Sequence, residues 1–149
     1  MATEQQYLSG QVVLVGCGRV GRRIGQSLTE QGIPYVVAEA NRELVEQLRE
    51  RGIAAVSGDA AEPAVLIQAH IARASMLVVA IPDALDVRQI IKTARTLNPG
   101  IETAVRTHNE EEAALLRRED SGKIFFGEQE LAQGMSRHVL ERFGKRSSS

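Results

Sequence analysis

The chain has 149 residues, of which 43% are hydrophobic and 25% are charged. That length predicts a single domain with one core and leaves no room for a second, substrate-binding lobe. The formal net charge of −1 argues against a broad electrostatic surface for nucleic acid. Cys17 is the only cysteine, which excludes an intramolecular disulfide and favours a reducing, cytosolic setting. No apolar run approaches the roughly 20 residues that a membrane-spanning helix needs.

Six short runs rich in β-branched residues predict strands at residues 12–15, 35–38, 53–57, 76–80, 101–105 and 124–126. Helical patterns lie between them at residues 20–31, 42–51, 63–69, 84–97 and 110–117. This alternation predicts a doubly wound α/β fold, in which helices cover both faces of a parallel six-stranded sheet. The boundary residues agree, because Gly32 and Gly52 can end their helices, Asn41 can cap the second, and Pro99 with Gly100 stops the fourth.

A further helix is predicted after the last strand, at residues 128–143. Leu131, Met135, Val139 and Phe143 recur at four-residue steps and form an apolar face. Two alternatives are open for this face, which packs either on its own sheet or on another subunit. Residues 144–149 are expected to be a disordered tail without a function.

Three glycines fall at the predicted junction between the first strand and the first helix, within the motif G-C-G-R-V-G at residues 16–21. Gly16 allows a tight turn, Gly18 lets a ligand approach the backbone, and Gly21 lets the helix pack closely on the strand. A helix N-terminus with bare backbone suits a phosphate group, because its amides are unpaired and the helix dipole favours an anion. The motif therefore predicts a nucleotide-phosphate site, with Arg19 either a donor to the phosphate or a solvent-facing side chain.

An acidic residue follows the second predicted strand. Glu39 lies 39 − 21 = 18 residues after Gly21, close to the usual ~20, and its carboxylate can accept both hydroxyls of a ribose. A carboxylate at this position would repel a 2′-phosphate. Glu39 therefore favours NAD or a simple adenosine nucleotide over NADP, although Arg42 nearby weakens that preference.

Further polar residues follow the third, fourth and fifth predicted strands. Asp59 either bonds the adenine amino group or caps the helix that follows it, and the two roles have equal weight. Ile81 can wall the adenine or phosphate region, and Asp83 is better explained as a helix cap. Arg106 can face the ligand's phosphates or a subunit boundary, whereas His108 is expected to be solvated.

Residues for catalysis or metal binding are sparse. Three scattered histidines and one cysteine give no zinc-ligand spacing, so no metal site is predicted. Cys17 is interpreted as a small residue of the turn before it is considered a redox sensor. No lobe that could hold an acid or base against a nicotinamide follows the sixth strand. The sequence therefore predicts nucleotide binding with no catalytic residues.

Several of these motifs together resemble the nucleotide-binding RCK domain, also called the TrkA-N domain, which regulates potassium channels and monovalent-cation transporters. The resemblance covers a domain at residues 11–143, and it implies that residues 1–10 are a linker or an artificial start before that domain. It rests on G-C-G-R-V-G at 16–21, V-S-G-D-A-A at 56–61, V-V-A-I-P at 78–82, T-A-R at 93–95 and A-V-R-T-H at 104–108. Runs at 33–39, 48–53 and 126–132 are similar to the cytosolic domain of YbaL-type, Kef-like cation:proton antiporters.

The resemblance implies a Rossmann-like fold and a homodimer in which the last helix crosses to the neighbour. It also implies AMP or NAD(H) as the ligand, with ATP or ADP as further family ligands. Glu39 departs from the aspartate of many members, Ala61 replaces a common threonine, and the glutathione site of Kef relatives is not matched. Seven residues match nucleotide-contacting positions of the family: Gly16, Gly18, Arg19, Gly21, Glu39, Asp59 and Ala60. Arg106 matches a family arginine nearby, and three neighbouring residues complete the predicted site: Val20, Ala40 and Ile81.

The resulting hypothesis is a ligand-sensing regulatory domain at the cytoplasmic face of the inner membrane. Nucleotide binding would shift the dimer between two arrangements and thereby gate a membrane antiporter domain, present in the same chain or separate. Two alternatives are a small NAD-dependent oxidoreductase, or its cofactor-binding half, and a free cytosolic subunit of a potassium channel or transporter. No nucleic acid partner is expected.

Overall fold

The computed structural model describes residues 9–81 and 84–144. In these residues six parallel strands form one sheet in the order β3-β2-β1-β4-β5-β6. The order reverses between β1 and β4, and a crevice opens at the carboxyl ends of those two strands. The strands are β1 (Val12–Val15), β2 (Tyr35–Glu39), β3 (Ala55–Ser57), β4 (Met76–Val79), β5 (Glu102–Thr107) and β6 (Lys123–Phe126).

Helices connect the strands, and one more follows β6. The described helices are α1 (Arg19–Glu30), α2 (Arg42–Glu50), α3 (Pro63–Gln68), α4 (Ala84–Leu97), α5 (Glu110–Arg118) and α6 (Gly127–Arg142), with a 3₁₀ turn at Ile71–Arg73. Every strand and helix begins and ends within two residues of its predicted bounds. Strand β5 runs on to Thr107 because its last residues pair with Phe125 and Phe126 of β6. The doubly wound α/β fold predicted from the sequence is confirmed.

Local signals set these boundaries. Gly32 and Gly52 follow the ends of α1 and α2 with φ of +67° and +80°, a left-handed conformation that glycine adopts without steric penalty. Asn41 caps α2, because its Oδ1 accepts the N–H groups of Glu43 and Leu44 at 2.9 and 3.2 Å. The predicted stops and the predicted cap are therefore confirmed.

Alternate residues of the strands pack into two cores on opposite faces of the sheet. Val13 and Val15 of β1 belong to the larger core, which they share with α3, α4 and α5. Leu14 belongs to the smaller core with Val45 and Leu48 of α2, and Ile24 of α1 packs at its edge. Because both faces of β1 are covered, all four of its residues are buried and apolar.

The α1 and α2 layer covers β1, β2 and β3 on its face of the sheet and reaches β4 at Val78, but it does not extend to β5 and β6. On β6, Ile124 and Phe126 are buried towards the larger core, whereas Lys123 and Phe125 point to the opposite face and are exposed. We call this uncovered strip the open half-face. It comprises Ala104, Arg106, Lys123 and Phe125.

Helix α6 projects past β6 and buries none of its residues. The side chains of its apolar row, Leu131, Met135, Val139 and Phe143, are 50–70% exposed. Of the two alternatives for this row, packing on its own sheet is therefore wrong, since no strand of the described chain covers it. Within the described residues, no helix combines the length and the apolarity required to cross a bilayer.

Candidate nucleotide site at the carboxyl edge of the sheet

The glycine turn joins β1 to α1, and the surroundings of its three glycines differ. Gly16 has φ +98°, and a Cβ there would lie 2.7 Å from Cγ2 of Ile81. At Gly21 a Cβ would overlap the carbonyl oxygen of Gly16, so only glycine lets α1 approach the turn this closely. Gly18 has an ordinary φ of −82°, and nothing lies within 4 Å of an added Cβ. The space beside Gly18 is therefore left open by the chain.

The first turn of α1 presents free backbone amides at the same place. Gly18 is the N-cap residue, and no side chain caps the helix. The N–H groups of Arg19 and Val20 have no hydrogen-bond partner in the described chain, and both residues are exposed. An anion at this end of α1 would meet unpaired donors and the positive end of the helix dipole.

Glu39 ends β2 and holds two loops together. Its Oε1 accepts the N–H of Cys17 at 2.8 Å, and its Oε2 accepts the N–H of Asn41 at 2.7 Å. The carboxylate therefore fastens the glycine turn to the start of α2. A carboxylate has about four acceptor positions, so each oxygen keeps one for a ligand hydroxyl. This fastening role was not predicted. The parallel pairing of β1 with β2 does indicate it, because the loops after both strands leave the sheet at the same edge.

Asp59 follows β3 and closes a small turn. Its Oδ1 accepts the N–H of Ala61 at 2.9 Å. The N-cap of α3 is Glu62, and its side chain makes no capping hydrogen bond. The alternative that Asp59 caps this helix is therefore wrong. Its side chain turns back on its own loop, which the backbone bond from Gly58 N–H to the Glu39 carbonyl oxygen, 3.0 Å, holds beside the end of β2.

The predicted alanines differ in position. Ala40 is exposed at the carboxyl edge, directly after Glu39. Ala60 is only 5% exposed and packs in the larger core. Only the backbone of Ala60 is therefore placed to meet a ligand.

Ile81 and Arg106 border the crevice on its β4 and β5 side. Ile81 packs against Gly16, and the Nη1 of Arg106 donates to the Ala80 carbonyl oxygen at 3.4 Å. This bond is long, and it is the one hydrogen bond of the Arg106 guanidinium in the described part of the chain. Arg106 therefore lies at the crevice and on the open half-face at once. Asp83 lies outside the described residues.

Cys17 lies within the glycine turn and is 6% exposed. Burial, followed by the negative charge of Glu39, raises the pKa of its thiol above the ordinary 9.0. The thiol is therefore protonated near neutral pH, which agrees with its interpretation as a small packing residue.

The described residues include few side chains suited to acid–base catalysis or metal binding. His108 is exposed in the loop after β5, and His138 is exposed on α6. His70 has φ +59° at the start of the 3₁₀ turn, where Gln11 Nε2 donates to its carbonyl oxygen at 3.1 Å. No group of three His, Cys, Asp or Glu side chains in ranges 9–81 and 84–144 could hold a metal ion.

The parallel sheet and the glycine turn define a Rossmann-type domain. Comparison with known proteins assigns this domain to a family. The family model of the TrkA-N domain matches residues 12–126, and the chain belongs to this family.

Individual proteins agree with that assignment. YbaL of Escherichia coli strain K12, named as a cation/proton antiporter, is 39% identical over 123 residues, which are 83% of this chain and 22% of YbaL. The crystal structure of the TrkA-N domain of E. coli YbaL is 37% identical with a TM-score of 0.83, covering 88% of this chain and 97% of the solved one. The Kef C-terminal domain of Shewanella denitrificans in its AMP-bound form is 22% identical with a TM-score of 0.75, covering 90% and 81%. This last likeness shows the fold alone.

Proposed function

We propose that this domain binds an adenine nucleotide, AMP or NAD(H), in the crevice between β1 and β4, and that binding regulates a cation:proton antiporter. The observation that carries the proposal is the open space at Gly18, which lies beside the uncapped amides of α1. No contact within the described chain requires glycine there. A phosphate seated on those amides does require it.

The remaining contacts suit an adenosine. Glu39 keeps one acceptor position on each oxygen for the ribose hydroxyls, after fastening the two loops with the other. Its negative charge disfavours a 2′-phosphate, so AMP and NAD(H) are preferred over NADP(H). The AMP-bound form of the Shewanella Kef domain supports a nucleotide ligand for this fold.

Regulation is proposed from the relatives. The chain spans 22% of the curated YbaL protein, and a membrane antiporter in the same protein or in a separate one is the proposed partner. This role places the domain at the cytoplasmic side of a membrane. It needs no chemistry at the nucleotide, and we propose that the domain is not an enzyme.

A homodimer is proposed as the element that responds. The apolar row of α6 and the open half-face are both uncovered, and a second copy could cover each with the other. Arg106 lies where the crevice meets the open half-face. A phosphate that captured this guanidinium would bind the two dimer arrangements with different affinity, which is the condition for regulation.

The first experiment separates ligand binding from stability. Gly18→Ala adds a methyl group to open space at an ordinary φ, so we expect an unchanged free energy of unfolding but loss of AMP and NADH binding. Isothermal titration calorimetry and urea denaturation measure the two. Gly127→Ala, at the start of α6 with nothing within 4 Å, is the matched control and should leave both unchanged. Full AMP and NADH affinity in Gly18→Ala would remove the glycine turn from the site.

A second variant tests the ribose contact. We expect Glu39→Gln to weaken AMP binding by about 1–3 kcal/mol, because a charged acceptor is lost. The control is Asn41→Ala, which removes the α2 cap and about 1 kcal/mol of stability while leaving the Glu39 carboxylate in place. If both variants weaken AMP equally, the effect is one of loop stability and Glu39 does not hold the ribose. Absence of AMP and NADH binding by the unmodified protein at millimolar ligand would refute the proposed function altogether.

A further inference from the structure

A second cavity, of about 370 Å³, lies on the α1 and α2 face of the sheet. Its apolar floor consists of Leu14, Val37 and Leu48, which are all at least nine-tenths buried. Helices α1 and α2 form its walls. The cavity borders the glycine turn at Cys17 and Gly21, and it lies on the face of the sheet rather than at the carboxyl edge where the nucleotide is proposed to bind.

Two glycines of α1 line the cavity. Gly21 and Gly25 are the buried residues of α1 and stand one helical turn apart. Gly21 is explained by its contact with Gly16, but Gly25 is not. A Cβ at Gly25 would lie 3.5 Å from the Tyr35 ring and 3.7 Å from Leu14, which is ordinary contact, and φ is not positive there. Alanine would fit and would favour the helix by up to about 1 kcal/mol, so packing alone does not account for this glycine.

The rim of the cavity is polar and has a cationic end. Arg22 and Arg51 line it together with Cys17, and both guanidinium charges act on that thiol, lowering a pKa that burial and Glu39 raise. Glu30 lies at the opposite end, 30 − 22 = 8 residues along α1 from Arg22, or about 12 Å. The cavity therefore runs from a positive end, over an apolar floor, to a negative end.

From this arrangement we infer that the α1–α2 cavity is a second ligand site, which takes a small amphipathic carboxylate. The apolar body of the ligand lies on Leu14, Val37 and Leu48, and its carboxylate lies at Arg22 and Arg51. A volume of about 370 Å³ is within the usual range for small-molecule sites, which are mostly apolar with a few fixed polar groups. The inference goes beyond the proposed function, because it assigns a different cavity and does not require nucleotide binding.

Decanoate is the probe, titrated into the full chain by isothermal titration calorimetry and by amide NMR. We expect saturable binding of one decanoate per chain, with the largest shifts at Gly25 and Tyr35. Gly25→Leu fills the cavity and should abolish binding. Gly25→Ala, which the structure accommodates at ordinary contact distances, should weaken it by about tenfold and keeps the test valid if the leucine variant does not fold.

The matched control is Gly134→Ala, which makes the same change on a helix with nothing within 4 Å, and it should bind decanoate like the unmodified chain. Arg51→Gln should weaken decanoate and leave the uncharged analogue decanol unaffected. No saturable decanoate binding, equal affinity in Gly25→Ala and Gly134→Ala, or equal affinity for decanol and decanoate would each overturn the inference. The NMR shifts also separate this site from the nucleotide crevice, since decanoate should shift Gly25 and Tyr35, whereas AMP should shift Gly18 and Ala40.

Discussion

The glycine turn and helix α6 stand at opposite extremes of packing in one chain. In the turn, Gly21 lies against the Gly16 carbonyl so closely that one methyl group would not fit, and Glu39 uses both carboxylate oxygens to hold the adjoining loops. In α6 no residue is buried, although Leu131 and Met135 are apolar. The buried side of the turn, at Gly16 and Gly21, is thus packed by the chain itself, whereas the apolar row of α6 is not. The difference separates a turn in which packing allows only one residue type from a helix whose apolar side chains are exposed.

The largest expected effect is at the turn. Gly21→Ala should lower the free energy of unfolding by about 3 kcal/mol, because the added Cβ overlaps the backbone carbonyl of Gly16, which has no flexible end to move aside. Urea denaturation measures the loss. The control Gly134→Ala should be neutral or slightly stabilising, since it meets open space on a helix. A loss below about 1 kcal/mol would mean that the turn is less rigid than its contacts indicate.

A smaller effect on stability, with a large effect on assembly, is expected at α6. Met135→Glu should change the free energy of unfolding of the monomer by no more than about 0.5 kcal/mol, because the side chain is 62% exposed. Sedimentation should show loss of the proposed dimer. Arg137→Gln, a polar change on the same helix, should leave the dimer intact. A dimer that persists in Met135→Glu would show that the apolar row of α6 is not its interface.

The smallest effect concerns Cys17. Because the folded state raises the pKa of this thiol above 9.0, the folded chain keeps a proton that the unfolded chain loses at alkaline pH. The contribution to stability is therefore complete below about pH 9 and declines as the pH rises through the raised pKa of the folded state. Urea denaturation between about pH 8 and 10 measures it, and Cys17→Ala should decline less steeply than the unmodified chain. Identical slopes for the two proteins would contradict the raised pKa.

The fold was predictable because its signals are local. β-branched runs, Gly32 and Gly52 after two helices, and the Asn41 cap each act within a few residues, and every boundary fell within two positions of its prediction. The packing roles predicted for Gly16 and Gly21 agree with the space around each, and the ligand role of Gly18 stays a prediction. The candidate site was less predictable at Asp59 and Glu39. Their hydrogen-bond partners depend on which loops meet at the sheet edge, and spacing alone does not report that.

The sequence by itself determined the order of strands and helices, the glycine turn and the apolar row of α6, since periodicity and glycine geometry are properties of neighbouring residues. Only the tertiary structure decided what those elements face. It gave Glu39 its bonds to Cys17 and Asn41, left the row of α6 uncovered, and opened the cavity beside Gly25. The physical reason is that burial and hydrogen bonding depend on residues distant in sequence, which meet only when the parallel sheet brings their loops and helices together.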